Sequence, residues 1–576
     1  MTFTPRVGVY ICHCGINIAA TVDVEAVTLF AANLPGVIVS RHYTYMCSDP
    51  GQDMIKHDIS DFKLNRVVVA SCTPRMHELT FRATIAEKGL NPYCFEMANI
   101  REQCAWVHIA DDLTTQKAME LVASAVAKAA LVTPLEERQA SVTPSALVIG
   151  GGISGMQAAL DIAEAGFEVV LLERTSQLGG YAAQLHQTYT NMEPVADLVN
   201  QIVDRVCNHP KIKLMTESEV QEISGFVGNF TVKVESRNGV SEIPAGVVIV
   251  ATGFEVFDPR KKPELGYGVY PEVITTLDLE QILSTESFDS NLNSIVFIQC
   301  VGSRDRTTGN TCCSRVCCMV TAKQAHLIHD RFPQAQVTVF YMDVRAFGKG
   351  FEEFYDLVRS EGIIYRRGNP SEIIRRNGRV VVRAEDTLLN KLVEVEADQV
   401  VLAVGMLPHP EAKRIAQLLK LSRSEDNFFM EAHPKLRPVE TATAGVFLAG
   451  CCQGPKDIAE SLTHARAAAS SALILLINGQ VQVEAATATI DRDLCAGCGQ
   501  CAAVCPYGAL TLHLVHNIMT VNPVLCRGCG SCAAACPSGT INVHHFTFDQ
   551  FMAQIEALST GFWLPTKIPK IEMVAT

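Results

Sequence analysis

The sequence predicts an α/β protein built in series: a small α/β domain, a pair of parallel-sheet units in the middle of the chain, and a small α+β domain near the end. Three observations predict it. Strand-like and helix-like runs alternate over the first 130 or so residues. A strand, a glycine turn, a helix and a second strand then follow one another from Ser145 to Glu173. Finally, a cysteine run from Cys495 to Cys505 recurs from Cys526 to Cys536.

A chain of 576 residues suggests roughly two to four domains. Its net charge of -13 is spread without long like-sign runs, which argues against a nucleic-acid or anionic-membrane surface. The N-terminus, MTFTPRVGVYICHCG, lacks a basic segment followed by a cleavage site, and no stretch reaches the roughly 18 apolar residues of a spanning helix. A cytoplasmic protein with no membrane span is therefore expected. The 22 cysteines then read as metal or redox chemistry, because the cytosol keeps thiols reduced.

Residues 1–133 form the first expected domain. Arg6 to Ile11, Val37 to Arg41 and Arg66 to Ala70 read as strands, and Val24 to Asn33 and Gln116 to Leu131 as helices. Cys12 and Cys14 follow the first strand, Cys47 the second and Cys72 the third, with Cys94 and Cys104 later. Loops at strand carboxyl ends converge in open α/β sheets. An iron–sulfur cluster is the expected occupant, with zinc-bound or buried thiols as the alternative, since Cys-x-Cys spacing alone does not identify iron.

Residues 144–485 form the second domain. Within SALVIGGGISGMQAALDIA, Gly150, Gly152 and Gly155 fit G-x-G-x-x-G, and Ile153 and Ser154 open the helix. The first glycine permits the turn, the second lets backbone approach a pyrophosphate, and the third allows close helix–strand packing. Glu173 stands about 20 residues on, where an acid binds ribose hydroxyls; Arg174, Gly179 and Gly180 complete this side of the candidate site. Ile212 to Met215, Phe230 to Ser236 and Ile243 to Ala251 read as strands, the last leading into Ala251, Thr252 and Gly253. That ending is common in flavoproteins with two dinucleotide-type domains. Later, Gly445 to Gly450, Asp457 and a helical run from Ile458 to Ile477 resemble the C-terminal FAD motif of the same class.

The stretch from about 290 to 400 is where such a flavoprotein would bind NAD(P)H. Ser294 to Gln299 and Val337 to Met342 read as its strands, but the glycine fingerprint is missing. In its place stand Cys300, then Cys312, Cys313, Cys317 and Cys318. Four of these five suffice for one [4Fe–4S] centre. A redox dithiol is the competing reading, although the spacing is not the usual Cys-x-x-Cys.

Residues 486–545 carry the duplicated C-x-x-C-x-x-C-x-x-x-C-P run of two-cluster ferredoxins, in which the fourth cysteine of each run ligates the other cluster. Cys495, Cys498, Cys501 and Cys536 are thus expected to hold one cluster, and Cys526, Cys529, Cys532 and Cys505 the second. The tail, 546–576, has an amphipathic segment from Phe548 to Ala557 that could dock a partner or lie on the surface.

Taken together, GVYICHCGINI (from Gly8), YMCSDPGQ (from Tyr45), CTPRMHE (from Cys72), FEMANIREQC (from Phe95), FIQCVGSRD (from Phe297), CCSRVCCMVTAKQA (from Cys312), GCCQGPKDI (Gly450 to Ile458) and the ferredoxin run resemble the A-type subunits of heterodisulfide reductase over nearly the whole chain. The resemblance implies one FAD bound in a thioredoxin-reductase-like domain and about four [4Fe–4S] clusters. It implies Cys300, Cys313, Cys317 and Cys318 as ligands beside the flavin, Lys323 near the flavin N5 and, more weakly, Glu280 on the flavin side. Cys12, Cys14, Cys47, Cys72 and Cys104 match its N-terminal pattern; Cys94 does not. Larger members carry an extra ferredoxin-like insert, and nothing between Gly253 and Cys300 corresponds to it.

The expected function is electron transfer, with the chemistry carried by the cofactors. By resemblance it is flavin-based bifurcation between a low-potential ferredoxin and a disulfide-type acceptor. The expected partners are B- and C-like subunits and a donor module, whether hydrogenase, formate dehydrogenase or an NADH module, in a hetero-oligomer that is often dimerised. Non-bifurcating transfer, an NAD(P)H-dependent disulfide reductase with a ferredoxin tail, and a scaffold whose clusters are structural are the rival readings.

Overall fold

Residues 4–136, 138–237, 239–285 and 292–559 are described by the computed structural model. They gather into two units, one formed by residues 1–139 together with 482–576 and the other by residues 140–481.

The first unit joins the two ends of the chain. Its N-terminal part is a four-stranded parallel sheet in the order Val37–Tyr43, Val7–Cys12, Arg66–Ser71, Phe95–Asn99. The central strands are apolar on both faces and buried from Val7 to Cys12 and from Val67 to Ser71, as expected of a parallel sheet covered on both sides. Helices Val24–Ala31 and Asp112–Leu131 share one core with the sheet. Their N-termini are capped by Asp23 and Asp111, which accept from Ala26 N and Thr114 N. Helices Asp49–Asp61 and Pro74–Ala86, not foreseen in the sequence, line the core on the other side.

The C-terminal part of this unit repeats one motif twice. Four-residue helices Gln500–Ala503 and Ser531–Ala534 sit between two antiparallel ribbons, Leu510–His513 with Ile518–Val521 and Ala488–Ile490 with Ile541–Val543. The amphipathic tail segment is a helix, Phe548–Ser559, packed on the chain's own helix Asp112–Leu131. Gln550 Nε2 donates to Leu131 O at 3.2 Å and Gln554 Nε2 to Ser124 Oγ at 3.4 Å. This segment therefore covers its own N-terminal domain and is not free to dock a partner through that face; residues 560–576 lie outside the described residues.

The second unit contains the same arrangement twice. One five-stranded parallel sheet runs Val446–Leu448, Val247–Val250, Ser145–Ile149, Glu168–Leu172, Ile212–Met215, and the other runs Val273–Thr275, Gln399–Val404, Ser294–Val301, Gln336–Tyr341, Ile364–Arg367. Each has a three-stranded antiparallel companion, Glu219–Phe226 to Gly239–Ala245 in the first half and Pro370–Arg376 to Lys391–Ala397 in the second. This is the expected pair of dinucleotide-type domains. One expected element divides: the run from Ile243 to Ala251 is two strands in two sheets, broken at Gly246. A Cβ there would lie 2.1 Å from Thr143 O, so the chain passes where only glycine fits.

Candidate functional site

The glycine turn after Ser145–Ile149 has the shape its sequence requires. Gly150 has φ +113° and faces Ala251 O, while a Cβ on Gly155 would stand 1.8 Å from Gly150 O. Gly152, by contrast, opens onto free space. Helix Ile153–Glu164 is thus pressed against the turn, with its N-terminus beside the free space at Gly152. Gly155→Ala must push helix and turn apart, at a cost of about 1–3 kcal/mol for overpacking. It is expected to release flavin during gel filtration; full retention at wild-type stoichiometry would show that the contact can relax.

The other expected residues border the same turn. Glu173 accepts from Gly151 N at 2.8 Å and, through its other oxygen, from Thr175 N and Oγ1, both at 2.8 Å. Gly179 N donates to Gly151 O at 2.9 Å, and a Cβ on Gly180 would lie 3.3 Å from Gly152 Cα. Arg174 is exposed. Thr252 Oγ1 is buried without a partner, and Gly253 has φ +72°.

On the C-terminal side, Gly450 has φ +73°, and a Cβ there would meet Ser154 Oγ at 2.1 Å. Its N–H donates to His464 Nδ1 at 3.0 Å. Burial, with the Lys456 charge adding to it, pulls His464 down to about 4, so the ring stays neutral as this bond needs. Asp457 caps helix Ile458–Asn478 in a capping box with Glu460, and its second oxygen accepts from Tyr189 OH at 2.9 Å. Ile458 begins that helix. The free space at Gly152, the glycine-forced close approaches and the orphaned Thr252 hydroxyl fit a flavin dinucleotide.

Lys323 and Glu280 meet as a buried ion pair. Nζ lies 2.6 Å from Oε1, with side chains 2% and 1% exposed. Lys323 Nζ also donates to Gln187 O at 2.8 Å, and Glu280 accepts from His186 N at 2.8 Å and Gln324 Nε2 at 2.6 Å. Burial pulls the lysine below its ordinary value, and the carboxylate acts against that pull. A solvated helix lysine is therefore excluded. Gln187 Oε1 and Gln324 Oε1 are buried without partners, leaving polar atoms for a group that binds beside the pair.

At the corresponding place in the second parallel sheet there are thiols. Strand Ser294–Val301 breaks register after Ile298, and Cys300 takes φ +61°. Cys313, Cys317 and Cys318 act electrostatically on Cys300 or on one another, whereas Cys312 is exposed and outside the group. Helix Cys317–Arg331 begins at the paired thiols, where the free amides favour thiolate. The hydrogen bond between the pair lowers Cys318 to about 7 and raises Cys317. Arg304, bonded to Asp343 at 2.8 Å, faces Cys300.

In the N-terminal sheet, Cys12, Cys14, Cys47 and Cys72 lie at adjacent strand ends and act electrostatically on one another. Cys12 Sγ accepts from Cys14 N at 3.3 Å and Met46 N at 3.5 Å. Burial pushes the Cys72 thiol up to about 11, against the pull of Arg101. A cluster bound by these thiols would displace their protons. Cys104 does not join them: it is fully buried in an apolar core and its Sγ points at Thr114 O, 3.3 Å away. Of the five candidates that the sequence offered for four places, the geometry thus groups Cys12, Cys14, Cys47 and Cys72. Cys94 is buried elsewhere, with Arg66 as its charged neighbour.

The duplicated run encloses two hollows. One, of about 280 Å³, is lined by Cys495, Cys498, Cys501 and Cys536. The other, of about 310 Å³, is lined by Cys505, Cys526, Cys529 and Cys532. Amides reach the sulfurs from Met519 to Cys495, Ala509 to Cys505 and Ala488 to Cys526, at 3.3–3.4 Å. Among the described residues no three His, Cys, Asp or Glu side chains are set to hold a single metal ion; in these two runs four thiols line each hollow instead.

Sequence reasoning missed Arg101, Arg304, Gln324, Tyr189 and His464. Arg101, Arg304 and Gln324 lie inside quoted motifs, FEMANIREQC, FIQCVGSRD and CCSRVCCMVTAKQA, which offered a signal, but a search built on thiols and glycines passes over a cation or an amide.

Comparison with known proteins agrees with this geometry. Residues 144–472 match the family described as pyridine nucleotide-disulphide oxidoreductase, and residues 487–543 match the 4Fe-4S dicluster domain. An A-type iron-sulfur subunit of the CoB–CoM heterodisulfide reductase of Methanopyrus kandleri is 45% identical, across 88% of this chain and 91% of its own. The chain belongs to the family of heterodisulfide reductase A-type subunits. Two further members of that family are the A-type subunits of the H(2):CoB-CoM heterodisulfide,ferredoxin reductase of Methanothermobacter thermautotrophicus and of the ferredoxin/F(420)H(2)-dependent CoB-CoM heterodisulfide reductase of Methanosarcina acetivorans. The first is 43% identical across 96% of this chain and 97% of its own, and the second 38% identical across 88% and 75%. As a member of the heterodisulfide reductase family, the chain is an oxidoreductase whose matched domains imply flavin and iron–sulfur clusters. No described helix is long and apolar enough to cross a membrane.

Proposed function

We propose that this chain carries one FAD and four [4Fe–4S] clusters, and that within a heterodisulfide-reductase-like complex it divides electron pairs between a low-potential ferredoxin and a disulfide-type acceptor. One observation carries the reading. The first parallel sheet keeps a glycine turn open to a dinucleotide, while the second, where a nicotinamide would sit, presents Cys300, Cys313, Cys317 and Cys318. The names of the relatives from Methanothermobacter and Methanosarcina, which pair heterodisulfide with ferredoxin, support it.

When bound, the flavin supplies a centre that exchanges electrons singly or in pairs, and the clusters exchange them one at a time. The chain's own residues place and tune these groups. Lys323, fixed by Glu280 and Gln187 O, offers a cation that stabilises negative charge on its neighbour. Cys12, Cys14, Cys47 and Cys72 would hold the N-terminal cluster, and the duplicated run the last two. B- and C-like subunits and a donor module complete the assembly.

Anaerobic purification of the chain followed by iron, sulfide and flavin determination tests the inventory. About 16 iron atoms, four per cluster, and one FAD are expected, and far fewer iron atoms would sink it. Bleaching of the isolated chain by NADH alone would favour a disulfide reductase instead. In the native complex, ferredoxin reduction is expected only while the disulfide acceptor is present; reduction without that acceptor would reduce the role to plain electron transfer.

A further inference from the structure

Arg101 is a buried cation at the mouth of the N-terminal thiol group. It opens a five-residue π-helical turn, Arg101–Ala105, just after strand Phe95–Asn99, and such turns recur at functional sites. The residue is 8% exposed. Its guanidinium donates to Cys14 Sγ at 3.1 Å and to Met76 Sδ at 3.0 Å. It also binds Glu102 Oε1 at 2.7 and 3.1 Å and stacks on Trp106, 4.5 Å from the ring centroid. Cys72 and Cys47 feel its charge as well.

Four contacts therefore fix a permanent positive charge against one sulfur and within reach of two more. The amides that reach the sulfurs of the duplicated run, from Met519, Ala509 and Ala488, are neutral. Hydrogen bonds to cluster sulfurs and net charge are the levers that set a cluster's potential. Reduction adds one electron to the cluster and moves no bond or proton, so a fixed cation favours the reduced form. Glu102 faces the same group with the opposite sign; its charge reaches Cys72.

We propose that Arg101 sets the reduction potential of the cluster held by Cys12, Cys14, Cys47 and Cys72, raising it above the value neutral donors would give, and that Glu102 is its counterweight. This rests on the cluster reading above. Arg101 is a positioning and tuning residue; it touches a ligand sulfur and no substrate.

The test is a redox titration of the intact, cluster-loaded protein followed by electron paramagnetic resonance, in which Cys72→Ser identifies the N-terminal signal by abolishing it. At a fixed potential, Arg101→Gln is expected to lower the reduced-to-oxidised ratio of that signal by about tenfold, 59 mV for one electron. Arg101→Lys should fall between, Glu102→Gln should raise the ratio, and the other clusters should keep their midpoints. An unchanged midpoint in Arg101→Gln, or shifts of the same sign in Arg101→Gln and Glu102→Gln, overturns the proposal while leaving the cluster assignment intact. If Arg101→Gln loses its cluster, Glu102→Gln decides alone, and a ratio that stays level or falls overturns it. If Cys72→Ser removes neither iron nor signal, the cluster reading itself fails and the proposal falls with it.

Discussion

Lys323→Ala is expected to destabilise the second unit by about 3–5 kcal/mol, because it leaves Glu280 as an uncompensated buried charge. The carboxylate is 1% exposed, so water cannot replace the lysine without opening the core around Leu279 and Leu283. Glu280 keeps its bonds from His186 N and Gln324 Nε2, which soften the loss but supply no full positive charge. The double variant Lys323→Met/Glu280→Gln removes both charges and should recover much of the stability. Urea-induced flavin release is the measurement. A single-variant cost below about 1 kcal/mol would mean the pair is more hydrated than its burial indicates. The flavin midpoint potential separates stability from function: on the proposal that Lys323 stands beside the flavin, its loss should lower that potential in both variants, and unchanged potentials would remove Lys323 from the flavin site.

What the sequence made legible was local. The parallel strands stand out because runs such as Val67 to Ala70 and Ile295 to Ile298 are apolar on both faces and fully buried. In the duplicated run three cysteines of each hollow stand only a few residues apart, and the repeat of the motif points to the fourth in the other run. Harder to see were helices Asp49–Asp61 and Pro74–Ala86, which bury few apolar side chains and carry many polar ones. The break at Gly246 was hidden because one glycine inside a β-branched run reads as a weak spot and not as the junction of two sheets. Long-range pairings were illegible in principle: neither Glu280 nor Lys323 has a local pattern that names the other. The choice of four among Cys12, Cys14, Cys47, Cys72 and Cys104 was illegible because spacing cannot tell a thiol at a strand end from one turned into a helical core.

Cys536→Ala is expected to remove the cluster of the first cysteine run, not that of its own run. The side chain lines the hollow of Cys495, Cys498 and Cys501, while Cys505 lines that of Cys526, Cys529 and Cys532. Paired substitutions expose the crossing through iron content. Cys498→Ala with Cys536→Ala strikes one hollow twice, so iron should fall by one cluster, from about 16 to about 12 atoms. Cys529→Ala with Cys536→Ala strikes both hollows and should leave about 8. Ligation within each run would reverse the two results. The crossed pattern also makes the domain cooperative, since each cluster ties the two halves of the duplication together. Loss of either should therefore loosen the ribbon of Ala488–Ile490 and Ile541–Val543, which faces Cys526 through Ala488 N at 3.3 Å. Amide hydrogen exchange across Thr489 and Asn542 should rise in Cys529→Ala, and protection equal to the wild type would show that the protein scaffold, not the cluster, holds that ribbon closed.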